Sequence, residues 1–451
     1  MGIEIEIGLL TLIMFGSLLV LLMAGLPLAF VTGGLACVFL YILGDARTLN
    51  IVPSRIFPLM TDYQLSAIPL FIFMAAMLER AGIIKNMFDV IYKLLGALRG
   101  GLASATVIAS TILAAMVGVI GAAVVTMGII ALPAMLKRQY DTKIAMGAIM
   151  AGGTLGILIP PSILAIIYAV VAEQSVGELF IGAVIPGLIL SGLYILYITI
   201  RCYIDPTLGP PIAVEERINF AEKIQITKTM IAPIILIMVV FGVLFSGAAT
   251  PVEAAGIGTF GAIIVAALHR QLDWPTVKEA CTTTLKASSM VIWIMFGATI
   301  FVGLYVIEGG QTFVTDAMIG TGLGPWGILI FMQILLVVLG MFLDWVGILL
   351  LCVPIFVPII KTLGAAAFGL SEPDDLVLWF GVLYLVNMQM SFLSPPFGYA
   401  LFYLRGVAPD SIPMSDIFKA SLPFLLLQIV GLSLCMIFPS LITWLPEQVY
   451  G

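Results

Sequence analysis

Charge is scarce in this chain. Of its 451 residues only 10% are Asp, Glu, Lys or Arg, against about 25% in a soluble globular domain. So few polar groups cannot solvate a chain that is 62% hydrophobic, which excludes a soluble domain; the same apolar content excludes disorder. Basic residues are outnumbered 19 to 25, the net charge is −6 and no basic patch stands out, which excludes a nucleic-acid binder. Histidine is almost absent: His269 is the only one, beside Arg270 in a polar stretch. No HExxH pair, His-bearing triad or Walker loop exists, so no catalytic constellation is found and the chain does not itself hydrolyse ATP. The five cysteines, Cys37, Cys202, Cys281, Cys352 and Cys435, are odd in number and unpaired in spacing, so neither a disulfide frame nor a metal site is read. The start, MGIEIEIG, is acidic rather than basic, and no cleavable signal peptide is expected.

What is present is a set of long apolar runs, at about 7–25, 27–44, 65–79, 100–136, 144–172, 179–200, 229–245, 253–268, 287–307, 326–360, 376–404 and 417–445. They are continuous rather than alternating, which predicts transmembrane helices and not barrel strands. The polar stretches between them fall into two classes. One holds sixteen of the nineteen basic residues, from Arg80 to Lys143, Arg201 to Lys228, Arg270 to Lys286, and Arg405 and Lys419. The other holds only Arg47, Arg55 and Lys361. The positive-inside rule puts the first class in the cytoplasm. Runs 100–136 and 326–360 then begin and end on the same side, so each is read as a re-entrant hairpin. Ten runs cross, and both termini face the periplasm.

The two halves resemble each other at offsets of about 225–235 residues. Glu79-Arg80-Ala81-Gly82 matches Ile307-Glu308-Gly309-Gly310, Leu132-Pro133 matches Val357-Pro358, and Ile159-Pro160-Pro161-Ser162 matches Ser394-Pro395-Pro396-Phe397. With opposite sidedness this is an inverted repeat, a signature of secondary transporters. The expected organisation is scaffold helices over 1–64, a first repeat over 65–200, a cytoplasmic connector over 201–228, scaffold helices with a cytoplasmic arm over 229–286, and a second repeat over 287–451.

Two crossing runs carry a helix breaker, 152–162 and 387–398. Tandem proline removes amide donors and excludes its predecessor from the helical region. Irregular backbone at that depth is tolerated only inside protein or against a cavity; its carbonyls can hold a cation, and half-helix N-termini attract an anion. Candidate binding residues are therefore Gly153, Thr154, Gly156, Pro160 and Pro161 in the first half, and Asn387, Gln389, Ser391, Ser394, Pro395 and Pro396 in the second. The hairpin tips, 118–123 with Gly118 and Gly121, and 342–347 with Asp344 and Gly347, should meet these breaks. Asp344 is the only formal charge between Asp316 and Lys361. A carboxylate there is either a functional charge or a turn residue accepting tip amides. Thr250-Pro251-Val252-Glu253 is a helix start, with a Thr cap, Pro at the first helical position and a capping-box Glu.

These residues resemble a known family, the large membrane subunit of tripartite ATP-independent periplasmic (TRAP) transporters. The resemblance covers nearly the whole chain and rests on Ala67-Ile68-Pro69-Leu70-Phe71, Arg99-Gly100-Gly101-Leu102-Ala103, Ile159-Pro160-Pro161-Ser162, Ser175-Val176-Gly177-Glu178-Leu179-Phe180, Thr250-Pro251-Val252-Glu253-Ala254-Ala255 and Ser394-Pro395-Pro396. It implies an all-α polytopic fold of elevator type in a bacterial or archaeal inner membrane. It also implies import of small organic acids, such as C4-dicarboxylates, driven by inward sodium flow. The substrate would arrive on a periplasmic binding protein, and a separate small membrane subunit would join this one. No cofactor is implied beyond the coupling ion, for which Gly118, Gly121, Asp344 and Ser394 are the candidates. The family's first tip is usually serine-rich, whereas this one reads Gly-Val-Ile-Gly-Ala-Ala. Side-chain sodium ligands there are not carried over; the backbone carbonyls of Gly118 to Gly121 take their place, and proton coupling is an alternative. Other readings are a stand-alone cation-coupled anion symporter of related architecture, and a membrane enzyme or scaffold without transport.

Overall fold

In lipid every backbone amide needs an internal partner, and a helix supplies one within its own segment. Accordingly, in the computed structural model, which describes residues 5–118, 120–211, 222, 227 and 230–450, every regular element among the described residues is a helix. The sequence-expected connector 201–228 lies largely outside the described residues.

α1 (Ile7–Met23) and α2 (Leu28–Leu43) are followed by the short α3 (Ile51–Met60). The segment carrying α3 bends by 61° into the one carrying α4 (Ala67–Arg80). Then come α5 (Ile83–Leu95), α6 (Gly101–Val117), α7 (Ile120–Lys137), α8 (Thr142–Thr154), α9 (Ile163–Ala172) and α10 (Val176–Ile204). Beyond the connector lie α11 (Ile231–Phe245) and α12 (Pro251–Leu268), and then α13 (Trp274–Ile307), α14 (Gly310–Gly320), α15 (Gly324–Gly340), α16 (Trp345–Leu363), α17 (Pro373–Leu393), α18 (Tyr399–Arg405), α19 (Met414–Ile437) and α20 (Ser440–Tyr450). The order α4 to α10 recurs in α13 to α19. Gly82 (φ +68°) and Gly309 (φ +85°) occupy the same place in the two series, and Pro160–Pro161 and Pro395–Pro396 are both cis. Seven described helices are long and apolar enough to cross a membrane, or eight if the bent pair is one span. Two of the seven, α7 and α16, are arms of the hairpins.

The helices pack as two groups. In the first, α13 packs on α2 and on α4, α4 packs on α12, and α11 lies along α12. Small residues allow this: a methyl on Gly297 of α13 would strike the Ala29 carbonyl and the Thr32 hydroxyl of α2, a close helix approach that lipid-embedded interfaces favour. The Thr259 hydroxyl donates to the Leu70 carbonyl at 2.8 Å, fixing α12 on α4. In the second group, α8 packs against α6, α7 and α19, while α17, buried along its whole span, packs against α10, α15, α16 and α19. The Thr250 start of α12 forms as expected: its hydroxyl accepts the Glu253 amide, and Glu253 Oε2 accepts the Thr250 amide at 2.8 Å.

Several boundaries differ from the sequence reading. The polar stretch 269–286 is no separate arm; from Trp274 it is the first part of the 34-residue α13, so the expected boundary at 286/287 falls inside a helix. α3, α5 and α14 were not expected, because their polar faces interrupt the apolar runs; α5, for example, buries Ile83, Met87, Phe88 and Ile91 while exposing Lys85 and Asn86. The second break is shorter than read. α17 continues through Asn387, Gln389 and Ser391 to Leu393, and irregular backbone begins only at Ser394, since nothing before the prolines removes a backbone donor. Likewise Gly153 and Thr154 close α8, and Gly156 sits in the 3-10 turn Leu155–Ile157. Gly121 and Gly347 lie within the first turns of α7 and α16 rather than in the tip turns.

Candidate functional site

The two hairpin turns are built differently. α6 ends in Gly118 in the left-handed conformation (φ +61°), where a Cβ would collide with the Pro161 carbonyl oxygen. A glycine is therefore required twice over, by its backbone angle and by the close approach of the first break. At the second turn α15 runs out at Gly340, against Ser391 of α17, and Asp344 caps α16, its Oδ2 accepting the Val346 amide at 3.1 Å. Each tip thus docks on the broken helix of its own half.

Between the tips and the first helix group lies a cavity of about 640 Å³. Its wall on one side comes from Leu28 of α2, Ile72 of α4, and Met290 and Trp293 of α13. Its other wall holds Gly118, Gly121 and Asp344, and Asp344 is the one charged residue among those that line it. Ile120, Ile163, Trp345 and Tyr399 all line it too, and each is the first residue of its helix, α7, α9, α16 and α18. With Leu28, the first residue of α2, five helix N-termini therefore border one space, and the four at the hairpin turns and breaks come two from each half. Each brings the positive end of its dipole. The breaks and turns put those four there, because each interrupts a helix at the cavity wall. The hydroxyl of Ser162 caps α9 (Ala165 N, 3.3 Å) and the Asp344 carboxylate caps α16, whereas Gly398 offers α18 no side-chain cap.

The other sequence candidates stand behind this wall. Thr154, 0% exposed, accepts a hydrogen bond from Gln428 Nε2 at 3.2 Å, and its hydroxyl faces the Ala151 carbonyl at 2.8 Å and Gln389 Oε1 at 3.4 Å. Asn387 Nδ2 donates to the carbonyl and to Oε1 of Gln333 at 2.8 and 2.7 Å. Ser391 packs on Gly340, and the Ser394 hydroxyl donates to the Met390 carbonyl at 2.7 Å. Gly153 packs on Val124 of α7, and Gly347 on Leu28. Through Gln389 and Gln428, Thr154 joins the two halves of the second group, whereas Gly347 meets the first group. Of the four cation candidates, Gly118, Gly121 and Asp344 share the cavity and Ser394 does not line it. Among the described residues no three His, Cys, Asp or Glu side chains cluster as a metal site.

The sequence reading missed Tyr399 and Tyr403, which line the cavity beside Asp344. Tyr403 covers the first tip, where a methyl on Gly121 would lie 3.2 Å from its ring, and Tyr399 and Tyr403 lie 6.4 Å apart. Phe342 of the second tip meets Phe397 of the second break, with ring centroids 6.0 Å apart. An aromatic residue in an apolar run looks like packing; only its position after the Pro-Pro break would have marked it.

A protein-family model described as "Tripartite ATP-independent periplasmic transporter, DctM component" matches residues 15–441. The chain belongs to this family. It is 30% identical to the C4-dicarboxylate TRAP transporter large permease protein DctM of Vibrio cholerae, over 99% of this chain and 98% of that one. It is 28% identical to the sialic acid TRAP transporter large permease protein SiaM of the same species, over 96% and 97%. Among solved structures, the YdaH transporter of Alcanivorax borkumensis shares the fold with a TM-score of 0.62 at 15% identity, covering 93% of this chain and 98% of that one. This DctM-family chain is thus a multi-pass membrane protein and a transporter component rather than an enzyme.

Proposed function

We propose that this DctM-family chain is the large permease subunit of an ion-gradient-driven importer, and that its substrate is a small organic acid bound in the cavity between the hairpin tips and the first helix group. The observation that carries the reading is the meeting of five helix N-termini, those of α2, α7, α9, α16 and α18, around one space of about 640 Å³, a volume within the usual range of small-molecule sites. Such a cradle suits carboxylates, because dipoles and free amides favour anions. Asp344 and the backbone of Gly118 and Gly121 then take the coupling cation, sodium, beside the anion. The binding residues of this reading are those that line the cavity; Thr154, Asn387, Gln389, Ser391 and Ser394 hold the wall in place from behind.

The first helix group acts as scaffold and the second moves against it with both tips. Both termini face the periplasm, in an inner membrane of a bacterium or archaeon. A small membrane subunit completes the scaffold, and a periplasmic binding protein delivers the substrate. The relatives named for C4-dicarboxylate and sialic acid transport support an acidic substrate class.

Reconstitution in proteoliposomes tests this reading. Sodium-driven uptake of succinate is expected only when the small subunit and a loaded binding protein are present; full uptake by the lone chain would overturn the tripartite arrangement. Asp344→Asn keeps a side-chain cap of about equal quality, so stability should change by no more than about 1 kcal/mol, the scale of the lost charge–dipole term. Cation dependence should weaken sharply in that variant. Unaltered cation dependence with lowered stability would make Asp344 a cap alone.

A further inference from the structure

Two of the helices that wall the cavity, α4 and α13, continue beyond it to wall a second hollow of about 530 Å³. On α4, Ile72 lines the cavity and Arg80, two turns further on, lines the groove. On α13, Glu279, Thr282 and Lys286 line the groove, and Met290 and Trp293 line the cavity. Steps of three and four residues keep those five positions on one face of the helix. Lys286 is followed directly by Ala287, a cavity residue, so the two hollows abut along α13.

The groove differs from the cavity in chemistry. Arg80, Lys278 and Lys286 face a single carboxylate, Glu279, which bridges Arg80 at 3.0 Å. Two positive charges remain uncompensated among its lining residues. The 34 residues of α13 make about 51 Å of helix, against a hydrocarbon thickness of about 30 Å. The apolar part begins at Ala287, so the groove stands at the aqueous end, on the side that collects the basic residues.

We infer that Lys278 and Lys286 form an anion vestibule at the cytoplasmic mouth of the cavity. Resting on the organic-acid reading above, the vestibule is the station through which the carboxylate passes between cavity and cytoplasm. Like charges lining a mouth with low-dielectric walls raise the local concentration of the opposite ion and its transfer rates by about 10- to 1,000-fold. A salt-sensitive exchange rate follows, because exposed charges are screened within about 10 Å at 0.1 M salt.

The local potential can be read without transport. In the full chain, with the exposed Cys281 changed to Ser, Thr282→Cys places a thiol in the groove. Its modification rates by an anionic and a cationic methanethiosulfonate reagent give a ratio that should favour the anion. Lys278→Gln with Lys286→Gln should lower that ratio about tenfold, and 0.5 M salt should mimic the change. In proteoliposomes that also hold the small subunit and a loaded binding protein, the same double variant should slow succinate counterflow at least fivefold, with rescue by Lys→Arg at both positions. An unchanged reagent ratio overturns the vestibule, and so does a lowered ratio with unchanged counterflow. Absence of succinate counterflow in that complete system with both lysines intact would overturn the substrate reading and the vestibule's role with it, and is told apart by appearing before any lysine is altered.

Discussion

Thr154→Val keeps the outline of the side chain and removes its hydroxyl. That hydroxyl accepts Gln428 Nε2 at 3.2 Å and faces Ala151 O and Gln389 Oε1 at 2.8 and 3.4 Å, and Thr154, Gln389 and Gln428 are all 0% exposed. Without it the Gln428 amide loses its partner. A buried orphan costs about 1–3 kcal/mol, while interhelical hydrogen bonds in bilayers average about 0.6 kcal/mol. We expect a loss of about 1–2 kcal/mol, a factor of roughly 5–30 in the folding equilibrium. Reversible unfolding in mixed micelles measures it. Thr154→Ser should stay near the parent, and adding Gln428→Leu to the valine variant should cost less than the two changes summed, since both partners then leave together. Because Thr154 does not line the cavity, counterflow by the folded fraction should keep its substrate affinity and cation dependence. Normal stability with an altered cation response would refute this reasoning and make Thr154 a ligand.

Gly118→Ala should nearly abolish transport, because it strains a backbone at φ +61° and drives a methyl into the Pro161 carbonyl; Gly25→Ala, at φ +85° with open space around it, should cost only about 1 kcal/mol in stability, and equal effects of the two on transport would remove the tip–break contact from the mechanism. Cysteines placed at Glu222 and Glu372 should label from opposite sides in intact cells, and labelling of both from outside would sink the proposed sidedness. The Asp273 carboxyl is held below its ordinary range, first by its side-chain hydrogen bond with Thr276 and then by the Thr276 amide. A depressed folded value stabilises at pH above the unfolded value and is lost as pH falls through the folded one, so the start of α13 should fray on acidification below about pH 4. Asp273→Asn should remove that step in hydrogen exchange, and its persistence would assign the step elsewhere.

Much of the architecture was legible because lipid imposes it. Continuous apolar runs gave the long helices, glycines marked the first tip, and both Pro-Pro pairs interrupt helices as expected. What misled were polar residues inside apolar runs. Asn387, Gln389 and Ser391 look like a break, yet they sit in an intact helix, where Asn387 is held by Gln333 of α15 and Gln389 faces Thr154 of α8, and only the fold brings those partners close. α5 and α14 were hidden for the converse reason, since a one-sided helix on a protein surface has too few apolar residues to read as a run. The cavity lining was half legible: Gly118, Gly121 and Asp344 were named from the sequence, whereas Tyr399 and Tyr403 were not, because an aromatic residue carries no mark of the cavity it faces.

Asp344, the only charge among the described residues that line the cavity, sets an electrical condition on the proposed cycle. A carboxylate about 5 Å from each charge of a dianion is repelled by about 3 kcal/mol per pair at an effective dielectric of about 20. On the proposed reading anion and cation occupancy are therefore linked, and a site holding the anion without the cation is disfavoured. With Asp344 ionised and the site empty, the cavity wall formed by the tips carries one negative charge. The membrane potential acts on a charge crossing the full field with about 2.3 kcal/mol per 100 mV, and an inside-negative voltage pushes this one outward. In a cycle where the tips travel, resetting of the empty carrier would be hastened by voltage.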